Sequence, residues 1–169
     1  ILDRQAAVEK RPLRLLNLAK PRPSEGELRI RVVVCGICRT DIHIAEGDLP
    51  LKKKGIVLGH EVVGIVDRIG EEVHSFRVGQ KVGAYWFHSS CNECKYCLAG
   101  RENYCPEIKC TGWDRDGGFA EFMVVPERNA LSLEKLSWVP EKIAPLLCPG
   151  VAGYASFKLT KAVAGERLG

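Results

Sequence analysis

The chain has 169 residues, 46% of them apolar and 27% charged, with 25 Lys and Arg against 21 Asp and Glu for a net charge of +4. That suffices for one buried core and matches an ordinary globular domain, which sets aside collagenous, low-complexity and disordered classes. The small, mixed-sign charge argues against a nucleic-acid partner, and no apolar run reaches the 18 residues of a membrane span, so neither nucleic acid nor membrane is expected.

In chain order, residues 21–26 are a Pro- and Gly-punctuated turn, and 28–35 (Leu-Arg-Ile-Arg-Val-Val-Val-Cys) alternate before becoming continuously apolar, which predicts a strand passing into the core. A helix is predicted from Thr-Asp-Ile-His (40–43), with Thr40 or Asp41 as its cap. Lys52, Lys53 and Lys54 read as a solvated loop. Further strands are predicted at 61–69, 81–85 and 119–125, with turns at 78–80 and 115–118. Helices are predicted at 141–148 and 151–161, broken by Pro149-Gly150. The fold class is mainly β with short helices.

Cys91, Cys94, Cys97 and Cys105 form a C-x2-C-x2-C-x7-C array in a turn-rich stretch. Four thiolates gathered by short loops close a tetrahedron around Zn2+ and leave no position for chemistry, so a structural zinc lobe is expected at about 88–110. Two disulfides or four buried thiols are the alternative. Cys38, His60 and Cys148 are also soft donors, but nothing in their spacing joins them. Read singly, a cysteine before Pro-Gly is more often core, and a histidine after glycine is more often hydrogen-bonded in a loop.

The motifs Gly-Ile-Cys-Arg-Thr-Asp-Ile-His (36–43), Gly-His-Glu (59–61) followed by Val-Val-Gly-Ile-Val-Asp-Arg-Ile-Gly, the four-cysteine lobe, Asp-Gly-Gly-Phe-Ala-Glu-Phe (116–122) and Cys-Pro-Gly-Val-Ala-Gly-Tyr (148–154) resemble, in this order, those of zinc-dependent medium-chain alcohol dehydrogenases of the bacterial and yeast-like kind. The resemblance spans nearly the whole chain. It implies a GroES-like partly open β-barrel, followed in the family by a nicotinamide-binding Rossmann domain.

The resemblance further implies a catalytic zinc held by Cys38, His60 and Cys148, with one position open for the substrate oxygen. It implies that Asp41 orients His60, a role compatible with capping the helix, and that Thr40 and His43, with the cofactor ribose hydroxyls, relay the alcohol proton to solvent. Arg39 falls where the family pairs with the cofactor pyrophosphate. Glu61 resembles the family's second acidic residue near zinc, which tunes the metal's field or is a transient zinc ligand; a structural salt bridge is the alternative. Trp86 falls at a substrate-pocket position, where an indole favours short primary alcohols, and is otherwise core. Cys35 and Cys110 are not expected to be ligands.

The reading is therefore the catalytic domain of an alcohol dehydrogenase with two Zn2+ per chain, interconverting alcohol and aldehyde with hydride transfer to NAD, NADP not being excluded. Its domain spans 1–161, and 162–169 begin the nucleotide-binding domain. No G-x-G-x-x-G occurs in the chain and its first residue is Ile1, so a truncated chain, inactive by itself, is expected. A homo-oligomer is expected for the full-length form, and six thiolates committed to metal favour a reducing cytoplasm. The alternatives are a related polyol or aromatic-alcohol dehydrogenase and, from another class, a zinc-stabilised binding module. Zinc count separates the last from the enzyme, because a module needs only the closed site.

Overall fold

The apolar run after Glu61 has no clean alternation because both faces of its strand are covered. In the computed structural model, which describes residues 1–167, this run is β2 (Glu61–Ile69). Val62 and Val66 pack into one core with Leu28, Ile30, Val82, Ala84, Met123 and Val125. Val63, of opposite parity, packs into a second core with Leu133, Ile143, Ala144 and Leu147. Period-two geometry sends neighbouring residues to opposite faces, so a strand buried on both sides must be apolar at successive positions. Each fully buried valine contributes about 1.5–3 kcal/mol.

β1 (Glu27–Gly36) pairs antiparallel with β2, from Leu28 opposite Ile69 to Gly36 opposite Glu61. Register shifts at Arg29/Ile30 and Val32/Val34 are bulges, which bend a strand and raise its twist. With β3 (Lys81–Ala84), a two-stranded β4 (Phe87–Ser89) and β5 (Lys109–Cys110), β6 (Phe122–Pro126) and β7 (Ala130–Ser132), the result is a curled five-stranded antiparallel sheet, β6-β1-β2-β3-β7, and a separate β4-β5 ribbon. This is the expected mainly-β, partly open barrel. No helix of the described residues is long and apolar enough to cross a membrane.

The helices are α1 (Arg39–Glu46), α2 (Lys95–Leu98), α3 (Pro140–Ile143) and α4 (Pro149–Thr160). α1 buries Asp41, Ile44 and Ala45 on one face, the two aliphatic groups against a third core of Leu2, Ile56 and Leu58, and ends at Gly47, whose φ of 104° suits glycine.

Several sequence expectations are corrected. The cap of α1 is Cys38, with Asp41 at the third helical position closing a capping box, because the chain turns helical earlier than Thr40. The strand expected at 119–125 begins only at Phe122; Gly117, Gly118 and Phe119 instead donate their N–H groups to the carbonyls of Val57, Gly59 and Leu58. The 141–148 helix is a short α3 followed by a 3-10 turn (Ala144–Leu147). Pro149-Gly150 does not interrupt the last helix but starts it: proline is favoured in the first turn, and the break lies at Cys148, with φ −133° and ψ −77°. The lysine loop is exposed, yet Lys52 and Lys53 pair with Asp114 at 3.1 Å and Asp116 at 2.6 Å. The segment 162–169 lies partly outside the described residues, at 168 and 169.

Candidate metal centres and cleft

The four-cysteine lobe is hung between β4 and β5. Cys91 precedes a turn whose Asn92 takes φ 65°, a left-handed conformation asparagine tolerates. Cys94 caps α2, Cys97 lies within it, and Cys105 follows a 3-10 turn at Glu102–Tyr104. Sulfur separations are 3.5 Å (Cys91–Cys105), 3.6 Å (Cys94–Cys97) and 3.9 Å (Cys91–Cys97). Sulfurs placed about 2.3 Å from a tetrahedral Zn2+ stand roughly 3.8 Å apart, whereas a disulfide needs about 2.05 Å. All eight cysteines are free thiols, so the disulfide alternative falls and the sulfur spacing fits zinc. The backbone N–H groups of Cys91 and Cys94 point at Cys105 Sγ (3.5 Å) and Cys91 Sγ (3.4 Å). The Ser90 hydroxyl foremost, against opposing desolvation and with help from Cys94 and the Asn92 backbone, brings Cys97 down to about 7.

The second cluster is assembled by the fold rather than by a motif. Cys38 ends the β1–α1 turn, His60 precedes β2, and Cys148 sits at the joint before α4; the donor atoms of Cys38, His60, Glu61 and Cys148 all lie within 4.8 Å of one another. Cys38 Sγ and Cys148 Sγ are 3.7 Å apart, again close to a tetrahedral edge.

One carboxylate organises the cluster. Asp41 Oδ2 accepts the Cys38 N–H at 2.9 Å, while Oδ1 accepts the Gly59 N–H at 3.0 Å and the Nδ1–H of His60 at 3.1 Å. Asp41 therefore closes the capping box on Cys38 and at the same time holds the histidine ring. His60 is fully buried, and its Nε2 has no hydrogen-bond partner. A buried ring nitrogen left with a free lone pair among two thiols is costly without a Lewis acid, which is the feature of this site that fits a metal.

The electrostatics agree. Burial pushes His60 down, but the Asp41 carboxylate outweighs it and the imidazole is raised above its ordinary value. Cys38 is lowered: burial opposes, and the Thr40 backbone N–H and hydroxyl, then His60 and Cys148, prevail. Cys148 is pushed up to about 12 by burial and by Cys38. Two negative sulfurs so close repel, and a cation removes that repulsion. Glu61 is raised by burial, partly offset by His60; its side chain fills the space over Gly36 and forms no salt bridge among the described residues, so the salt-bridge reading of Glu61 is not met. Burial raises Cys35 to about 12 and Cys110 to about 11, and neither joins a donor cluster.

A cleft of about 650 Å3 opens beside the cluster, lined by Thr40, Tyr85, Trp86, Phe87, Leu147 and Cys148 among others. Thr40 Oγ1 is 3.6 Å from Cys38 Sγ. The Trp86 ring meets His60 edgewise, with centroids 5.0 Å apart at 73°, so Trp86 is both cleft wall and part of the third core. His43 and Arg39 do not line this cleft. His43 Nδ1 pairs with Asp48 at 2.6 Å on the exposed side of α1, and Arg39 is exposed at the helix start with no ion pair among the described residues. Tyr85 and Phe87 escaped the sequence reading. Their signal was a run of three aromatics, Tyr-Trp-Phe, at a strand end.

Residues 24–135 match the family model described as the alcohol dehydrogenase GroES-like domain. The chain is 43% identical over 171 aligned residues to the "Probable alcohol dehydrogenase AdhA" of Mycobacterium tuberculosis, covering 98% of this chain and 49% of that one. Among solved structures, the CAD of Helicobacter pylori complexed with NADP(H) superposes with TM-score 0.79 at 31% identity, covering 85% of this chain and 44% of that chain. The cinnamyl alcohol dehydrogenase SbCAD4 of Sorghum bicolor gives TM-score 0.75 at 33% identity, covering 84% and 43%. The chain spans about half the length of the curated relatives it matches.

Proposed function

Because the chain belongs to the family of alcohol dehydrogenase GroES-like domains, we propose that it is the catalytic part of a zinc-dependent dehydrogenase that interconverts a primary alcohol and its aldehyde. The observation that carries this reading is the pairing of an unpartnered, fully buried His60 Nε2 with two thiols 3.7 Å apart at the wall of a cleft. Zinc held there would supply a Lewis acid for the alcohol oxygen, and a bound nicotinamide, NAD or NADP, would supply the hydride acceptor. Cys38, Cys148 and His60 Nε2 are the resident donors, and Asp41 keeps the Nδ1–H tautomer that leaves Nε2 free to bind. Glu61 is a transient fourth donor, and Cys91, Cys94, Cys97 and Cys105 hold a second, structural zinc.

Two electrons and one proton leave the alcohol as hydride, and the other proton leaves through side chains. Thr40 faces the cleft, so its hydroxyl accepts the substrate proton while donating onward, and His43, held by Asp48 on the solvent side, is the outer end of the path. No hydrogen bond joins Thr40 to His43 among the described residues, and the ribose hydroxyls of a bound nicotinamide cofactor would complete the path between them. Arg39, exposed and without an ion pair among the described residues, would meet the cofactor pyrophosphate. Residues 1–161 are the catalytic domain, and 162–169 lead into a dinucleotide-binding domain.

Trp86 beside His60 narrows the cleft at its reactive end and favours short primary alcohols. The second reading, an aromatic alcohol, is favoured by the aromatic wall of Tyr85, Trp86 and Phe87 and by the 650 Å3 volume. The test uses the full-length protein, comparing kcat/KM for ethanol, benzyl alcohol and a polyol with each nicotinamide. Oxidation of an alcohol that Cys38→Ser abolishes supports the proposal; full activity in Cys38→Ser contradicts it.

A further inference from the structure

His60 is fixed at one point by Asp41, and a single hydrogen bond at Nδ1 sets a position but not the plane of the ring. The ring is fully buried, and one of the groups against its plane is Trp86, whose indole meets it edgewise at 5.0 Å and 73°. Trp86 in turn borders the open cleft on one side, so it needs backing on the other. Trp113 supplies it: the two indoles stack with centroids 6.0 Å apart and planes 19° from parallel.

Trp113 is anchored more firmly than a residue that only fills space. Its Nε1–H donates to the Pro50 carbonyl at 2.9 Å, and Lys52 Nζ sits 3.4 Å over its ring while pairing with Asp114 at 3.1 Å. A cation over an indole face, an offset indole stack and an edge contact are each favourable aromatic geometries, and here they are joined in series from the surface to His60. Trp113 neither lines the cleft nor belongs to the donor clusters.

We propose that Trp113 is a positioning residue for His60, acting through Trp86, with Lys52 holding Trp113 in place. This rests on reading Cys38, His60 and Cys148 as a metal site. Loss of the backing indole frees Trp86 to tilt into the cleft, and His60 then samples orientations in which Nε2 no longer points at the two sulfurs. Removing groups that orient a ligand histidine weakens metal binding by about 10- to 100-fold, and a residue one contact further out belongs near the lower end, roughly 10-fold.

The experiment loads the chain with Co2+ and follows its release to excess EDTA by thiolate-to-cobalt absorption, with the two phases assigned using Cys38→Ser and Cys97→Ser. Trp113→Ala is expected to release cobalt from the Cys38 site roughly 10-fold faster, with the four-cysteine phase unchanged and Trp113→Phe close to wild type. In a Trp86→Ala background the Trp113→Ala effect is expected to vanish, as a double-mutant cycle requires of a residue acting through another. A wild-type release rate in Trp113→Ala, acceleration of both phases, or equal acceleration with Trp86 absent would overturn the inference. If wild type takes up no cobalt at the Cys38 site, the metal-site reading fails first and takes this one with it. Should Trp113→Ala not fold, Trp113→Leu and Lys52→Gln carry the same comparison, Lys52→Gln with the smaller effect.

Discussion

Asp41 shows how much a single buried carboxylate can organise: it closes the capping box of α1, ties down the Gly59 N–H and fixes the tautomer of His60. Asp41→Asn keeps the size but loses the charge, and zinc affinity at the Cys38 site is expected to fall about 10- to 100-fold, measured by competition with a chromophoric chelator, with the four-cysteine site unaffected. Thr40→Ala in the full-length enzyme is expected to lower turnover by roughly 100- to 10,000-fold without loss of zinc, while His43→Gln chiefly alters the pH dependence, because water can replace an exposed relay end. Wild-type ethanol oxidation by Thr40→Ala would remove it from the proton path. The thiols outside the clusters give a pH test. Burial raises Cys35 to about 12 and Cys110 to about 11, so both stay neutral, and poor nucleophiles, up to pH values approaching those figures. Iodoacetamide followed by mass spectrometry should leave them unmodified in the zinc-loaded chain at neutral pH and modify them in denaturant.

At the scale of elements, what could be read from sequence was what carries its own period. β2 matched its expected bounds, and β1 and β3 came within a residue or so, because apolar runs bounded by Gly, Pro and charged residues mark them. β4, β5 and β7, of three, two and three residues, are too short to display a period and were missed. The four-cysteine lobe was readable from spacing alone because its ligands are local. Cys38 and Cys148 stand 110 residues apart in sequence, so only a resemblance could join them, and the Lys52–Trp113–Trp86–His60 series left no signal in sequence. The turn that presents His60 depends on Gly59: its φ is 96°, and a Cβ there would come 2.6 Å from the Phe119 ring and 2.8 Å from Cys35 Sγ. Gly59→Ala is expected to cost about 1–3 kcal/mol, seen as a lower urea midpoint at unchanged m-value.

The whole molecule leaves its last helix without a partner: residues 151–160 of α4 are all exposed, and Val151, Tyr154, Phe157 and Leu159 among them are between 49% and 83% exposed. Contiguous apolar surface of this kind marks a contact surface, and a polypeptide of these 169 residues is expected to self-associate with rising concentration in sedimentation velocity. The account as a whole rests on two proposed metal sites of unequal kind, one of four sulfurs and one of two sulfurs and His60 with the Glu61 carboxylate beside them. Apparent binding energies of about 10–16 kcal/mol for a structural zinc rival a domain's whole stability of about 5–15 kcal/mol, so loss of the four-sulfur site should unfold its lobe, whereas loss of the Cys38 site should leave the fold intact. The most direct measurement is zinc content by atomic emission for wild type, Cys38→Ser and Cys97→Ser. Two zinc ions in the wild-type chain and about one in each variant, with Cys97→Ser alone becoming protease-sensitive between β4 and β5, is the predicted result; a wild-type chain that saturates at one zinc would contradict it.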